Sequence, residues 1–151
     1  MKSQYRPLIQ QVAAQFDLSA TLLEAQVFQE SSDQTWALHF DLDFFRAYIE
    51  HNPRAAAYRY GTFAAVSLGL LQIELEVACE RGFTGPPWGL FDPDTGLYWG
   101  ARYLASLRDL AKGDMHAALR AYNAGPAAIT RPEDDVAYAT AVLQRESELD
   151  G

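Results

Sequence analysis

The sequence predicts an all-α, mainly helical domain, and three observations predict it. Apolar residues recur at helical spacing, as Leu23 and Val27 do early in the chain and Leu97, Leu104 and Leu107 do later. Residues that start and stop helices stand where those periodic segments begin and end. No stretch alternates apolar and polar residues in the manner of a half-buried strand, so little β structure is expected.

Taken in order, residues 3 to 16 read as a first amphipathic helix. Ser19 is placed to cap a second, with Leu18 and Leu23 spaced as a hydrophobic staple and Ser31 near its end. Between 33 and 60 the pattern is weaker. A helix is expected near 41 to 51, then a break at Asn52-Pro53 and a short helical piece. A further short helix is expected near 69 to 81, ending at Gly82, followed by a loop through the Gly- and Pro-rich FTGPPWGL. Asp92 as N-cap and Pro93 in the first turn open the next helix. Asp114 caps its successor, which Gly125-Pro126 stops, and a last helix covers about 134 to 148.

The chain has 151 residues, enough for one domain spanning 1–151, and 49% of them are hydrophobic, enough to build a core. With Cys79 as the one cysteine, an intramolecular disulfide and a multi-cysteine metal site are both excluded. The N-terminal segment is broken by polar residues and lacks the apolar core of a secretory signal. No stretch approaches the roughly 20 apolar residues needed to span a bilayer. The expectation is therefore synthesis in the cytoplasm without stable membrane insertion. A net charge of −8, with Lys and Arg scattered, argues against nucleic-acid binding, which rewards clustered cations.

Candidate chemistry begins at Glu30. It falls on the stripe of Leu23 and Val27, at i+7 and i+3, whereas Glu24 and Glu50 read as solvated. A carboxyl on an apolar stripe loses hydration, which raises its pKa and lets it donate a proton near neutrality. The same position near a helix end is also compatible with a glutamate that fans outward to water. In AVSLGLLQIE, Gly69 between bulky residues suggests a tight backbone approach, and Gln72 is a polar amide amid apolar neighbours. It either hydrogen-bonds a ligand or is a satisfied amide in a buried turn. Tyr122 lies on the stripe of Met115, Ala118 and Leu119, while Asn123 either caps its helix or serves a sugar site. His39, His51 and His116 show no metal-ligand spacing, the Asp41/Asp43 pair lacks the rest of a calcium loop, and no phosphate-cradling loop is present. No metal or cofactor is expected.

Taken together and in order, QES, SLGLLQI, FDPDTGLYWGARYL, ALRAYNAGP and AYATAVL resemble the catalytic domain of lytic transglycosylases related to the soluble lytic murein transglycosylase, over roughly residues 8 to 145. The resemblance implies a goose-type lysozyme-like, largely helical fold. It implies that Glu30, followed by Ser31, is the catalytic glutamate of the Glu-Ser pair. Gly69, Leu70, Leu71, Gln72 and Ile73 match Gly-Leu-Met-Gln-Ile with Leu71 for the methionine, and Ser67 stands where many members have a serine. Ala121 to Gly125 match Ala-Tyr-Asn-Ala-Gly unchanged, which brings Tyr122 and Asn123 to the substrate. Tyr138 resembles the final-helix tyrosine whose hydroxyl lies near the acid. Two departures stand out: a longer, aromatic and acidic stretch between Glu30 and Ser67, and Glu74-Leu75 where Met-Pro is usual.

By the same resemblance the substrate is the glycan strand of peptidoglycan. It is cleaved between N-acetylmuramic acid and N-acetylglucosamine to leave 1,6-anhydro ends, with one glutamate acting as acid and then base. The longer form is similar to compact phage endolysins. That implies a monomer released to the wall through a holin-type pore, to act in the periplasm. Two rivals remain open from sequence: a hydrolytic lysozyme on the same fold, and a non-catalytic wall-binding or virion module.

Overall fold

The computed structural model describes all 151 residues, Met1 to Gly151. It is mainly helical, with a small three-stranded sheet. The chain divides into two compact units, one formed by Met1–Gln29 with Ala101–Gly151 and the other by Glu30–Gly100.

The first unit contains helix α1 (Arg6–Gln15), most of α2 (Ala20–Ser31), the latter part of α5 (Pro93–Leu110), α6 (Met115–Ala124), a 3₁₀ turn at Pro126–Thr130, and α7 (Val136–Asp150). Its helix starts are local devices. Ser19 Oγ accepts from Leu22 N at 3.1 Å, and Asp114 Oδ1 from Ala117 N at 3.0 Å. Gly125, at φ 98°, turns the chain out of α6. Ser19 also donates to Glu146 on α7 at 2.8 Å, so one residue caps α2 and ties it to the last helix. Ile9, Leu23, Val27, Leu104, Leu107, Leu119 and Val142 are buried.

The first helix begins at Arg6 rather than at residue 3 because Ser3 is engaged elsewhere. Its backbone N–H donates to Glu24 Oε1 at 2.7 Å, and Arg6 pairs with the other carboxylate oxygen at 3.0 Å. Glu24 is therefore not solvated, as its sequence position suggests, but 1% exposed. A backbone N–H donor and an ion pair offset the desolvation of the buried carboxylate, and together they pin the N-terminal segment onto α2.

The second unit carries the sheet, in the order β1 (Leu38–Phe40), β2 (Val66–Leu68), β3 (Ile73–Glu74), all antiparallel. After β1 come α3 (Leu42–Phe44), capped by Asp41 at 2.9 Å, a π-helical turn at Phe45–Ile49, and a 3₁₀ segment at Tyr58–Ala65. The helix expected near 41 to 51 thus forms with a wider turn. The buried carboxylate of Glu76 accepts from both Ala56 N and Ala57 N at 2.6 Å, which anchors the chain between these two segments.

The expected helix near 69 to 81 is replaced by a hairpin and a shorter helix, α4 (Leu75–Glu80). Gly69 at φ 81° and Gln72 at φ 47° bend the backbone out of the helical region, with Gln72 N bonded to Gly69 O at 3.2 Å. Leu70, Leu71 and Ile73 are all buried, so the apolar run reflects a turn enclosed on every side rather than a helix stripe. FTGPPWGL is likewise not wholly a loop, because Pro87–Phe91 forms a 3₁₀ turn.

Candidate active site

Glu30 lies in the last turn of α2 and is half-buried, while Leu23 and Val27 on its stripe are fully buried. Ser31, 8% exposed, ends the helix. Ser32 and Asp33 then take φ of 52° and 65°, and two successive left-handed residues turn the chain out of the helix. Gln34 N closes this exit on Ser31 O at 3.0 Å.

The segment leaving Glu30 is held by the hairpin turn. Ala37 O accepts from Gly69 N and from Gln72 Nε2, both at 2.9 Å, and the Thr35 hydroxyl donates to Phe91 O. Gln72 Nε2 also donates to Gly69 O at 3.0 Å. Both amide hydrogens are thus spent on backbone, and the acceptor oxygen is what Gln72 retains for a ligand. Leu71 is fully buried and supports the turn from within the core. Ser67 sits mid-strand, opposite His39 on one side and Glu74 on the other, so these three side chains project from one face of the sheet. Glu30, Ser31, Ser67, Gly69 and Gln72 are in this way gathered on one bonded framework of the second unit.

The remaining candidates belong to the first unit. Tyr122 is 9% exposed, its ring 5.2 Å from that of Tyr103. Asn123 is exposed and donates to Asp135 at 3.0 Å, tying the end of α6 to the residue before α7. The Tyr138 hydroxyl accepts from Gln26 Nε2 at 3.2 Å. Gln26 was not singled out from sequence. It is fully buried one turn before Glu30 on α2, and its Oε1 has no hydrogen-bond partner. Its position on the Glu30 face of the helix was the available signal.

The profile of the transglycosylase SLT domain family matches residues 7–141. The chain belongs to that family. Its fold is similar to that of the lytic transglycosylase Slt from Pseudomonas aeruginosa, solved as an inactive mutant, at a TM-score of 0.71 and 20% identity. The match covers 95% of the SLT domain described here but 23% of that protein, so the chain spans about a quarter of the length of its structural relative. No curated protein sequence matches the chain.

One departure of this SLT domain from the family pattern, Glu74-Leu75, brings in a strongly perturbed ionisable group. The Glu74 carboxyl is pushed up to about 8, first by burial and then by the negative charges of Asp41 and Glu80. Its buried Oε2 has no hydrogen-bond partner, as suits a neutral acid. Glu80 is raised as well, by burial and by Glu76, and burial together with Glu76 raises the Cys79 thiol. No three His, Cys, Asp or Glu side chains are gathered as a metal-ligand set. No helix is long and apolar enough to cross a membrane.

A pH dependence of stability follows. Below about pH 4.5 Glu74 is neutral whether the chain is folded or not. As pH rises from there to about 8, the unfolded chain releases the proton and the folded SLT domain retains it, so stability falls. The full slope is about 1.4 kcal/mol per pH unit, and the loss levels off above the folded value. Glu74→Gln removes this contribution. In urea unfolding at pH 4.5, 6 and 8, the variant is expected to lose a few kcal/mol less than the parent over that range. Parallel pH profiles for the two proteins would show that Glu74 is not held neutral.

Proposed function

We propose that this SLT domain is a peptidoglycan lytic transglycosylase with Glu30 as its single catalytic acid and base. The observation that carries the reading is the placement of Glu30: a half-buried carboxyl on a fully buried apolar stripe, with the chain beyond it bonded to the Gly69–Gln72 turn. An acid so placed is partly shielded from water yet open enough to meet a substrate, which is what proton donation near neutrality requires.

In the proposed reaction Glu30 donates its proton to the oxygen linking N-acetylmuramic acid C1 to N-acetylglucosamine, and the C1–O bond breaks. The C6 hydroxyl of the same muramic residue closes on C1, and the Glu30 carboxylate takes its proton. One glycosidic bond is exchanged for another within the sugar, water is not consumed, and Glu30 ends as it began. The nucleophile is already tethered to the reacting centre, so most of the entropic cost of bringing it there is avoided. Two-carboxylate glycosidases need a second, ionised partner. The carboxyl on β3, Glu74, has its pKa pushed up to about 8 and is a poor base for activating water at neutral pH.

The family membership and the relative's transglycosylase fold support the reading. In that relative, the form described as inactive is a glutamate-to-glutamine mutant. We place the action on the cell wall, after synthesis in the cytoplasm and release through a membrane pore, in the service of lysis. Mass spectrometry of digested peptidoglycan tests the chemistry. Anhydromuramic ends are expected, and muropeptides with only reducing ends would replace this reading with the hydrolytic one.

A further inference from the structure

The long stretch between β1 and β2 builds a cleft of about 340 Å³, lined by Phe45, Ile49, Glu50, Tyr58, Arg59 and Gly61. The size is within the range of small-ligand sites. One wall comes from the π-helical turn, a feature that often marks functional sites, and the other from the 3₁₀ segment. The second wall does not stand by itself. The buried Glu76 carboxylate clamps Ala56 N and Ala57 N immediately before Tyr58. Gly61 has φ 60° and ψ −132°, a glycine conformation, and a Cβ there would meet nothing within 4 Å, so the cleft is open at that corner.

The charges in this cleft are unmatched to each other. Arg59 donates to the Tyr60 hydroxyl at 2.9 Å and lies 4.7 Å from that ring, but pairs with no carboxylate. Glu50 has only the exposed His51 at 3.8 Å. An anion and a cation therefore line one cleft without reaching each other, with the apolar surface of Phe45 and Tyr58 alongside. The complement of this arrangement is a ligand with an ammonium and a carboxylate set apart on an aliphatic body.

We propose that the cleft binds the stem peptide of peptidoglycan at its diamino acid, the ammonium toward Glu50 and the free carboxylate toward Arg59. The proposal rests on peptidoglycan being the substrate. It gives the insertion between Glu30 and Ser67 a purpose: the wall polymer is recognised by its peptide as well as by its sugars. Both charged residues are at the surface, so their removal tests recognition without disturbing the core.

The probe is the free tetrapeptide L-alanyl-γ-D-glutamyl-meso-diaminopimelyl-D-alanine, titrated calorimetrically into the full chain. Saturable one-to-one binding is expected, weakened about tenfold or more in Arg59→Ala and in Glu50→Gln, with melting curves confirming that both variants fold. The same peptide with L-lysine in place of diaminopimelate lacks the side-chain carboxylate. It is expected to bind more weakly and to be indifferent to Arg59→Ala. Absence of saturation, or titrations unchanged in both variants, overturns the proposal. Cleavage of intact and of peptide-stripped glycan separates the two readings. Glycan cleavage without peptide binding leaves the activity standing and removes the peptide site. Peptide binding with neither glycan cleaved leaves the site and removes the activity.

Discussion

Glu30→Gln is expected to abolish wall lysis while leaving the protein folded. The amide matches the carboxyl in size and can still accept and donate hydrogen bonds, but it can neither deliver a proton to a leaving oxygen nor take one back. General acid–base catalysis contributes roughly 10²- to 10⁴-fold, and here one group is assigned both halves of the proton traffic. A loss at the upper end of that range is therefore expected in a dye-release assay on purified cell walls. Glu30 is half-buried rather than enclosed, so the melting temperature should move little. Activity within tenfold of the parent would remove Glu30 from the catalytic role. A large fall in melting temperature accompanying lost activity would instead assign it a structural one.

Gly69→Ala is expected to cost the most stability of any single methyl added to the chain. At φ 81° an L side chain is strained, and a Cβ at this position would lie 2.3 Å from the Leu90 carbonyl oxygen, which is backbone and cannot rotate aside. The same oxygen would meet a Cβ on Gly96 at 2.6 Å, so it is already hemmed in from two sides. Conformational strain of about 1–3 kcal/mol and overpacking of similar size combine to roughly 2–6 kcal/mol. Gly113→Ala serves as the control, since Gly113 has φ 88° but nothing within 4 Å of its Cβ position. Chemical denaturation of the two variants separates strain from collision. Equal losses would mean that the Leu90 carbonyl yields. Activity should fall with Gly69→Ala as well, because Gly69 N and Gln72 Nε2 together hold Ala37, in the segment that leaves Glu30.

The aromatic character of the stretch between Glu30 and Ser67 was visible in the sequence, and so was its departure from the family pattern, but its architecture was not. The π-helical turn depends on Glu50 N reaching back to Phe45 O at 2.9 Å, and the anchor at Ala56 and Ala57 comes from a glutamate 20 and 19 residues away. Periodicity over a short window carries no trace of either bond. Glu74 stands out in the sequence as a departure, yet its raised pKa follows only from burial and from the charges of Asp41 and Glu80.

By itself the sequence determined the helical class, the helix starts at Ser19, Asp92 and Asp114, and the stop at Gly125. Each of these rests on bonds or spacings within a few residues, as when Thr95 N reaches Asp92 Oδ2 at 3.0 Å, so the local code contains it. The tertiary structure alone decided that Glu24 is buried, that 69–72 is a turn and not a helix, and that Gln72 spends its amide hydrogens on the chain that follows Glu30. A buried carboxylate or a left-handed turn is stable only when distant backbone supplies its hydrogen bonds. Where those partners lie is a property of the folded chain and not of any stretch of it.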